Sequence, residues 1–399
     1  MKILSKAALR GRAAALVGPA ALLGTFGLAA PAAQAADAAP TAQAAPTAQA
    51  PQAAPAAPAA HAGPALASAP APEPPRFADG FGLTVVSQPN WADDKGRTFV
   101  FTVKSAEVPV YDAMRDQVPG EHVVMVTLPA GYDGAADSRY PVLYNLHGRG
   151  DLPNATWNQT IPERATDGVP LITVTPNGGG HGWYTNWVNP GSRGRQNWET
   201  FHLDQVIPFI DANLKTVPAK EGRAIAGHSM GGFGAFRYAE ARPDLFSYVG
   251  SFSGGLDLQD PAQRAAVVGS GFLPDSGTPL VEPDAIFGPP VWPLDQVWNE
   301  RSPAQNVGAL RGMGIAMYSG DGGDLTDNPI QAVFEKGARG TAVTTAANLA
   351  KAGIPYRFAD YGDGSTWAEG CTGKHAQEPC LQADMNDFVK LIAKRLTRS

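Results

Sequence analysis

Gly227-His228-Ser229-Met230-Gly231 falls directly after the apolar run Arg223 to Ala226 and directly before a helix-compatible stretch, Met230 to Ala241. In that setting a G-x-S-x-G predicts a nucleophile elbow. The serine takes a strained backbone conformation between strand and helix, and the flanking glycines remove Cβ atoms that would clash. In a chain with 45 glycines the pentapeptide alone arises easily. The strand before it, the helix after it, and Gly232 and Gly234 for close helix packing make it a constraint on the fold.

The rest of the chain agrees with that constraint. Short apolar runs bounded by Gly, Pro and Asp alternate with longer amphipathic stretches, the pattern of a mostly parallel sheet covered by helices. Seven strands are expected: His122 to Leu128, Pro141 to Leu146, Pro170 to Thr175, Arg223 to Ala226, Ser247 to Phe252, Gly314 to Tyr318 and Tyr356 to Tyr361. Helices are expected over Glu199 to Leu214, over Asp384 to Leu396, and over Asn328 to Lys351 with an interruption near Gly337 and Gly340. Residues 255 to 310 are rich in Pro and Gly and lack clear periodicity. They read as an insertion over the active-site edge of the sheet. Together with the elbow this predicts an α/β-hydrolase fold.

Three segments are expected. Residues 1–35 carry Lys2, Lys6, Arg10 and Arg12, an apolar run from Ala13 to Ala30, and Ala33-Gln34-Ala35, which is the layout of a secretory signal peptide. Residues 36–76 are nearly all Ala, Pro and Gln and read as a flexible linker with almost nothing to bury. Residues 77–399 are long enough for one catalytic domain around a single core.

Export sets the chemistry of the two cysteines. In an oxidising compartment Cys371 and Cys380 are expected to form a disulfide. Four of the 31 basic residues lie in the signal segment, leaving 27 against 37 acidic residues, a net charge of −10. That balance argues against nucleic acid or an anionic membrane surface as partner. The expected product is a secreted or peripherally envelope-associated monomer.

A serine hydroxyl needs an imidazole to activate it and a carboxylate to orient the imidazole. In α/β-hydrolases these follow the serine in the order acid, then histidine. Of seven histidines, at 61, 122, 147, 181, 202, 228 and 375, only His375 lies after Ser229. His181, in GGGHGWY, is the rival from outside that order. The acid is expected after the strand Gly314 to Tyr318, where Asp321, Asp324 and, further on, Glu335 are available, and spacing alone favours Asp324. The oxyanion hole is expected from the backbone N–H groups of Met230 and Arg149, the latter in the glycine-flanked turn His147-Gly148-Arg149-Gly150.

Several landmarks, taken together, resemble the antigen 85 type mycolyltransferases of the esterase D-like α/β-hydrolase family. They are NWETF (197–201), GHSMGG (227–232), SFSGGLDL (251–258), DAIFGPP (284–290), NVGAL (306–310), SGDGGDL (319–325) and NPIQAVFE (328–335). The resemblance runs from about residue 140 to 367. It implies Glu335 as the catalytic acid, with the aspartate of the GGDL stretch left structural. It also implies acyl transfer through an acyl-serine, from a long-chain, mycolic-type acyl ester donor to trehalose, another sugar acceptor or water.

Two positions depart from the family. Its base lies in a G-T-H-S-W stretch, where this chain reads Gly362-Asp363-Gly364-Ser365-Thr366-Trp367. The next histidine is His375, between the cysteines. The family also tends to have an aspartate at the position of His147.

The departures leave three functions open: a mycolyl-type transferase, a general secreted carboxylesterase, and a catalytically inactive envelope or matrix binding protein. Trp157, Trp183, Trp187, Trp198 and Trp367 fall in or near segments expected at the active-site edge, Trp198 reads better as core, and Trp187 and Trp367 are the expected substrate-binding aromatics. Phe272, Leu273, Leu280, Phe287, Val291 and Trp292 are candidates for an acyl groove, and Asn186, Asn189 and Arg193 for a sugar-binding face. No cofactor or metal is expected, since Asp321, Asp324 and Asp327 lack the spacing of a calcium loop.

Overall fold

The computed structural model describes residues 73–110, 117–135, 137–272 and 280–396. The signal segment, most of the linker, His61 and Leu273 lie outside the described residues.

Nine strands form one sheet: β1 Leu83–Trp91, β2 Thr98–Ser105, β3 His122–Thr127, β4 Val142–Leu146, β5 Ile172–Pro176, β6 Arg223–His228, β7 Tyr248–Phe252, β8 Gly314–Ser319 and β9 Arg357–Asp360. Their order is β1-β2-β3-β5-β4-β6-β7-β8-β9. The first three joins, β1 to β2, β2 to β3 and β3 to β5, are antiparallel, and the rest are parallel. The C-terminal ends of β4, β6, β7 and β8 therefore open on the same edge.

The seven expected strands correspond to β3 to β9. Strands β4, β5, β7 and β8 are buried along their whole length, because helices cover both faces and each strand becomes a continuous apolar run. β1 and β2 are additional to the expectation. β1 pairs only with β2, carries Pro89, and shifts register twice, between Val85 and Ser87 and between Ser87 and Asn90. Those bulges erase its alternation, and an edge strand tolerates the proline. β2 does alternate, with Phe99, Phe101 and Val103 all buried, and that signal could have been read.

The two core layers follow the period-2 alternation of the strands. Val142, Tyr144 and Leu146 face one layer with Ile225, Val249 and Met317; Leu143, Ala224, Ala226, Phe252 and Tyr318 face the other. The first layer is covered by a helix over residues 198–213, whose middle, Phe201–Val206, is π-helical, and by Met230–Ala241 and Pro329–Lys351. The second is covered by Thr156–Ala165 and by Glu378–Ile392, the latter through Leu381, Met385, Phe388, Val389 and Ile392. That last helix begins before the expected Asp384, because Pro379 sits in its first turn, where the missing N–H costs nothing.

The interruption expected near Gly337 and Gly340 is not there. Pro329–Lys351 is one continuous helix. Its buried face is Ala332, Glu335, Ala338, Thr341, Ala342, Thr345, Ala346 and Leu349. Both glycines lie on the opposite, exposed side, where a Cβ would meet nothing within 4 Å. Each therefore weakens the helix only by its intrinsic propensity. The double substitution Gly337→Ala, Gly340→Ala is expected to stabilise the domain by about 1 kcal/mol per site, seen as a raised thermal midpoint; an unchanged or lowered midpoint would count against this account.

The insertion is more ordered than its composition suggests. It holds the helices Pro261–Ser270, Gln296–Glu300 and Pro303–Asn306. Asp260 caps the first by accepting a hydrogen bond from the Gln263 N–H.

Candidate active site

Ser229 links β6 to the helix Met230–Ala241 with φ +56° and ψ −118°. A non-glycine residue holds such a backbone only where its surroundings fix it. The Ser229 N–H donates to the Phe252 carbonyl at the end of β7, and its own carbonyl accepts from the Phe233 N–H. The flanking glycines permit the close approach. A Cβ on Gly231 would lie 2.0 Å from the Leu146 carbonyl oxygen, and one on Gly227 would lie 2.5 Å from the Gly231 carbonyl.

The Ser229 hydroxyl donates to His375 Nε2 at 2.9 Å. His375 Nδ1–H donates in turn to Glu335 Oε2 at 2.8 Å. Glu335 is fully buried, and an unpaired buried carboxylate is costly. Here its other oxygen, Oε1, accepts from the Gly320 N–H and from the Ser253 hydroxyl, each at 2.8 Å.

Asp324, the acid that spacing favours, does not reach His375. It is exposed and accepts from the N–H and hydroxyl of Thr326, which hold its carboxyl down at about 2. Asp321 likewise accepts from the Gly323 N–H within the same turn. The segment after β8 thus loops outward through both aspartates and returns as the helix that carries Glu335.

His375 sits on a loop, and the loop is held from several sides. Cys371 and Cys380 are joined by a disulfide. Closing so short a loop restricts the unfolded chain by roughly 2–3 kcal/mol on the chain-entropy model. The His375 N–H donates to the Gln331 carbonyl, the Gly322 N–H donates to the Gly373 carbonyl, and the Lys374 ammonium donates to the Asp327 carbonyl. A Cβ on Gly320 would lie 2.2 Å from the Gly373 oxygen, so loop and strand end are in direct backbone contact. Rings flank His375 on two sides, His228 at 4.9 Å and Phe334 at 6.1 Å between centroids.

Other histidines have other neighbours. His181 is buried, 3.1 Å from both Arg149 Nη1 and the Ser270 carbonyl, and makes no bond to Ser229. His202 lies between the Asn177 carbonyl and the Tyr238 hydroxyl, and burial lowers its pKa to about 3. His147 pins the turn after β4. Its Nδ1–H donates to the Gly148 carbonyl, its Nε2 accepts from the Gly178 N–H, and its carbonyl accepts from the Tyr184 hydroxyl.

Beside Ser229 lies a pocket of about 90 Å³, lined by Arg149, Met230, Trp183, Ser253, Gly255, Gln263, Ala266, Ser270, Phe334, Ala338 and His375. Met230 is the first residue of its helix, so its N–H has no acceptor within the helix. The turn carrying Arg149 is fixed by the Gly150 N–H, which donates to the Gly180 carbonyl. Both expected oxyanion residues therefore border the serine.

The two expected substrate tryptophans do not line this pocket. Trp187 is a core residue whose indole N–H donates to the Gly182 carbonyl. Trp367 stacks on Tyr361 and donates its N–H to the buried Asp384. Trp183, from the same stretch as Trp187, takes the wall instead. Neither the acyl-groove nor the sugar-face expectation is met as drawn. Phe287 is core, Val291 and Trp292 are outside the pocket, Asn186 bonds Thr200, Asn189 bonds Asp284, and Arg193 pairs with Glu282. Ser253 and the Gly320 N–H, which cradle the Glu335 carboxylate, were not anticipated. The one hint was the serine of SFSGG just beyond a strand, and it has φ +53°.

Sheet order, a serine at a strained strand-to-helix turn, and a histidine and a buried carboxylate arriving later in the chain define an α/β-hydrolase. The chain belongs to the Esterase family, whose match covers residues 116–378. It is 32% identical over 283 residues to Esterase Rv1288 of Mycobacterium tuberculosis, a match spanning 70% of this chain and 57% of that protein. It is 34% identical over 158 residues to the diacylglycerol acyltransferase/mycolyltransferase Ag85A of Mycobacterium leprae, spanning 38% of this chain and 45% of that one. The chain thus spans about half the length of these curated relatives. Among solved structures, MPT51 of Mycobacterium tuberculosis shares the fold, with a TM-score of 0.54 and 19% identity over 72% of this chain and 99% of that one. Among the described residues, no helix is long and apolar enough to cross a membrane, and no cluster of His, Cys, Asp and Glu could hold a metal ion.

Proposed function

We infer that the protein is an exported serine esterase or acyltransferase that works through an acyl-Ser229 intermediate. The observation that carries this reading is the unbroken relay from Ser229 Oγ to His375 Nε2 and from His375 Nδ1 to Glu335. Ser229 attacks the ester carbonyl as its proton passes to His375 Nε2, and the imidazolium so formed faces the buried Glu335 carboxylate. The oxyanion develops toward the N–H groups of Met230 and Arg149. Collapse expels the alcohol, which takes the proton from His375. A second hydroxyl then enters, gives its proton to His375 and bonds to the acyl carbon, and the acyl–Oγ bond breaks as His375 returns that proton to Ser229.

The likeness to Ag85A supports a long-chain, mycolic-type acyl donor and trehalose or another sugar as acceptor in the cell envelope. Water as acceptor is the second reading. It is favoured by one observation, that Asn186, Asn189 and Arg193 spend their polar groups on the protein itself. The inactive-binder reading is disfavoured by the His375 to Ser229 bond, since a bare serine would need no such neighbour.

Incubating the protein with a short-chain ester, with and without trehalose, tests both readings. An acylated sugar formed only when trehalose is present is the expected product. Free acid alone would sink the transferase reading, and no consumption of ester would sink both.

A further inference from the structure

The Ser229 pocket has more polar lining than the relay uses, and most of it is already engaged by the protein. Ser253 donates to Glu335, the Ser270 hydroxyl donates to the Val267 carbonyl, and Arg149 Nη1 lies 3.1 Å from His181 Nε2. The indole N–H of Trp183 has no acceptor, but it is sealed inside the wall, where the ring packs edge-on against Phe233 and Phe287. Gln263 differs from all of these. Its backbone N–H is taken by Asp260, while its half-buried side-chain amide makes no hydrogen bond among the described residues.

The surroundings of that amide give it a seat in the pocket. Gly255 also lines the pocket, and a Cβ there would lie 2.0 Å from Gln263 Nε2 and 2.8 Å from its Oε1. The amide therefore occupies the space that a side chain at 255 would fill. Gly255 is not among the glycines of positive φ, so room for the amide, and not backbone conformation, is what calls for glycine there. The helix that carries Gln263, Pro261–Ser270, is anchored from its other side, where Arg264 donates to the Leu258 and Pro290 carbonyls and pairs with Asp295. Gln263 is thus a preplaced donor and acceptor in a wall otherwise apolar at Trp183, Met230, Ala266, Phe334 and Ala338.

Pocket size limits what can meet both Ser229 and this amide. The volume of about 90 Å³ is smaller than the roughly 150 Å³ of a cavity that takes benzene. A group bonded to Gln263 therefore lies within a few atoms of the scissile carbonyl. A primary amide offers an N–H and a C=O side by side, and a hydroxyl uses both, accepting from one and donating to the other. An apolar group in the same place would strip water from the amide and return no hydrogen bond.

Resting on the ester-acting reading above, we propose that Gln263 is a specificity-determining residue of the Ser229 pocket, selecting esters that carry a free hydroxyl within a few atoms of the carbonyl. The hydroxyl belongs to the acyl group or to the alcohol, and the test has an arm for each.

Two matched pairs of esters are compared on the whole chain: methyl 3-hydroxybutyrate against methyl butyrate for the acyl side, and glycerol 1-monobutyrate against propyl butyrate for the alcohol side. Wild type is expected to favour the hydroxylated member of one pair by about tenfold or more in kcat/KM. In Gln263→Met, which keeps the length of the side chain and removes both polar groups, that preference should shrink to within about twofold. Gly255→Ala should shrink it as well, because the new Cβ drives the amide off its seat while the amide itself is retained. A merely structural defect would slow both members of a pair alike and leave their ratio intact. Wild type with no preference in either pair, or a preference that Gln263→Met keeps, overturns the proposal. If wild type cleaves none of the four esters, the ester-acting reading has failed, and calorimetric binding of the same pairs to wild type and Gln263→Met then decides whether Gln263 reads a hydroxyl.

Discussion

Replacing His375 with alanine is expected to lower kcat on a short-chain ester by on the order of 10⁴-fold or more, the usual consequence of removing a triad base. KM should change little, because the ring contacts the nucleophile more than the substrate. The physical reason is that Ser229 would keep its strained backbone and its oxyanion donors while losing the imidazole hydrogen-bonded to its hydroxyl. Labelling of Ser229 by a fluorophosphonate should slow in parallel, and thermal melting should show that the domain still folds. His181→Ala should leave most of the activity. The base assignment fails if activity survives loss of His375 and disappears with loss of His181.

Glu335→Gln is expected to cost kcat on the order of 10⁴-fold, as when an acid that orients a triad histidine is made neutral. Glutamine fills the same space and can still accept at one oxygen from Gly320 and Ser253. Its amide then faces His375 Nδ1 and donates where the carboxylate accepted, which turns the imidazole to the tautomer that cannot take the serine proton. Asp324→Asn makes the contrast. That exposed carboxylate caps its own turn through Thr326, so its loss should change kcat by no more than about twofold. Measuring both variants at saturating ester distinguishes the two acids, and an equal loss in the pair would refute the role given to Glu335.

The parts of this fold that are legible in sequence are those buried on both faces. β4 to β8 read as apolar runs because helices lie above and below them, whereas β9, at the sheet edge, is exposed or half-buried along its length. β1 does not read so, since its one partner strand and two register shifts leave no alternation to read. Chain order points to His375 because it needs only the count of histidines after Ser229. Glu335 is beyond spacing, for the backbone travels out through Asp321 and Asp324 before returning, and nearness in sequence is then a poor guide to nearness in space. The tryptophans fail for another reason. Trp183 and Trp187 lie four residues apart in one stretch, and which ring meets the pocket is decided by consecutive left-handed residues, Trp183 and Tyr184, with φ of +49° and +46°. No pattern of residue types announces that turn.

The unbroken helix Pro329–Lys351 carries the carboxylate at Glu335 and two wall residues, Phe334 beside it and Ala338 one turn on. Any tilt or slide that widened the pocket for a different acyl group would also pull the carboxylate off His375. Chain-length preference and turnover are therefore mechanically tied through the backbone and separable only at the side-chain level. An engineer seeking a new substrate has Phe334 and Ala338 to trim or fill. Their neighbour has to stay where it is.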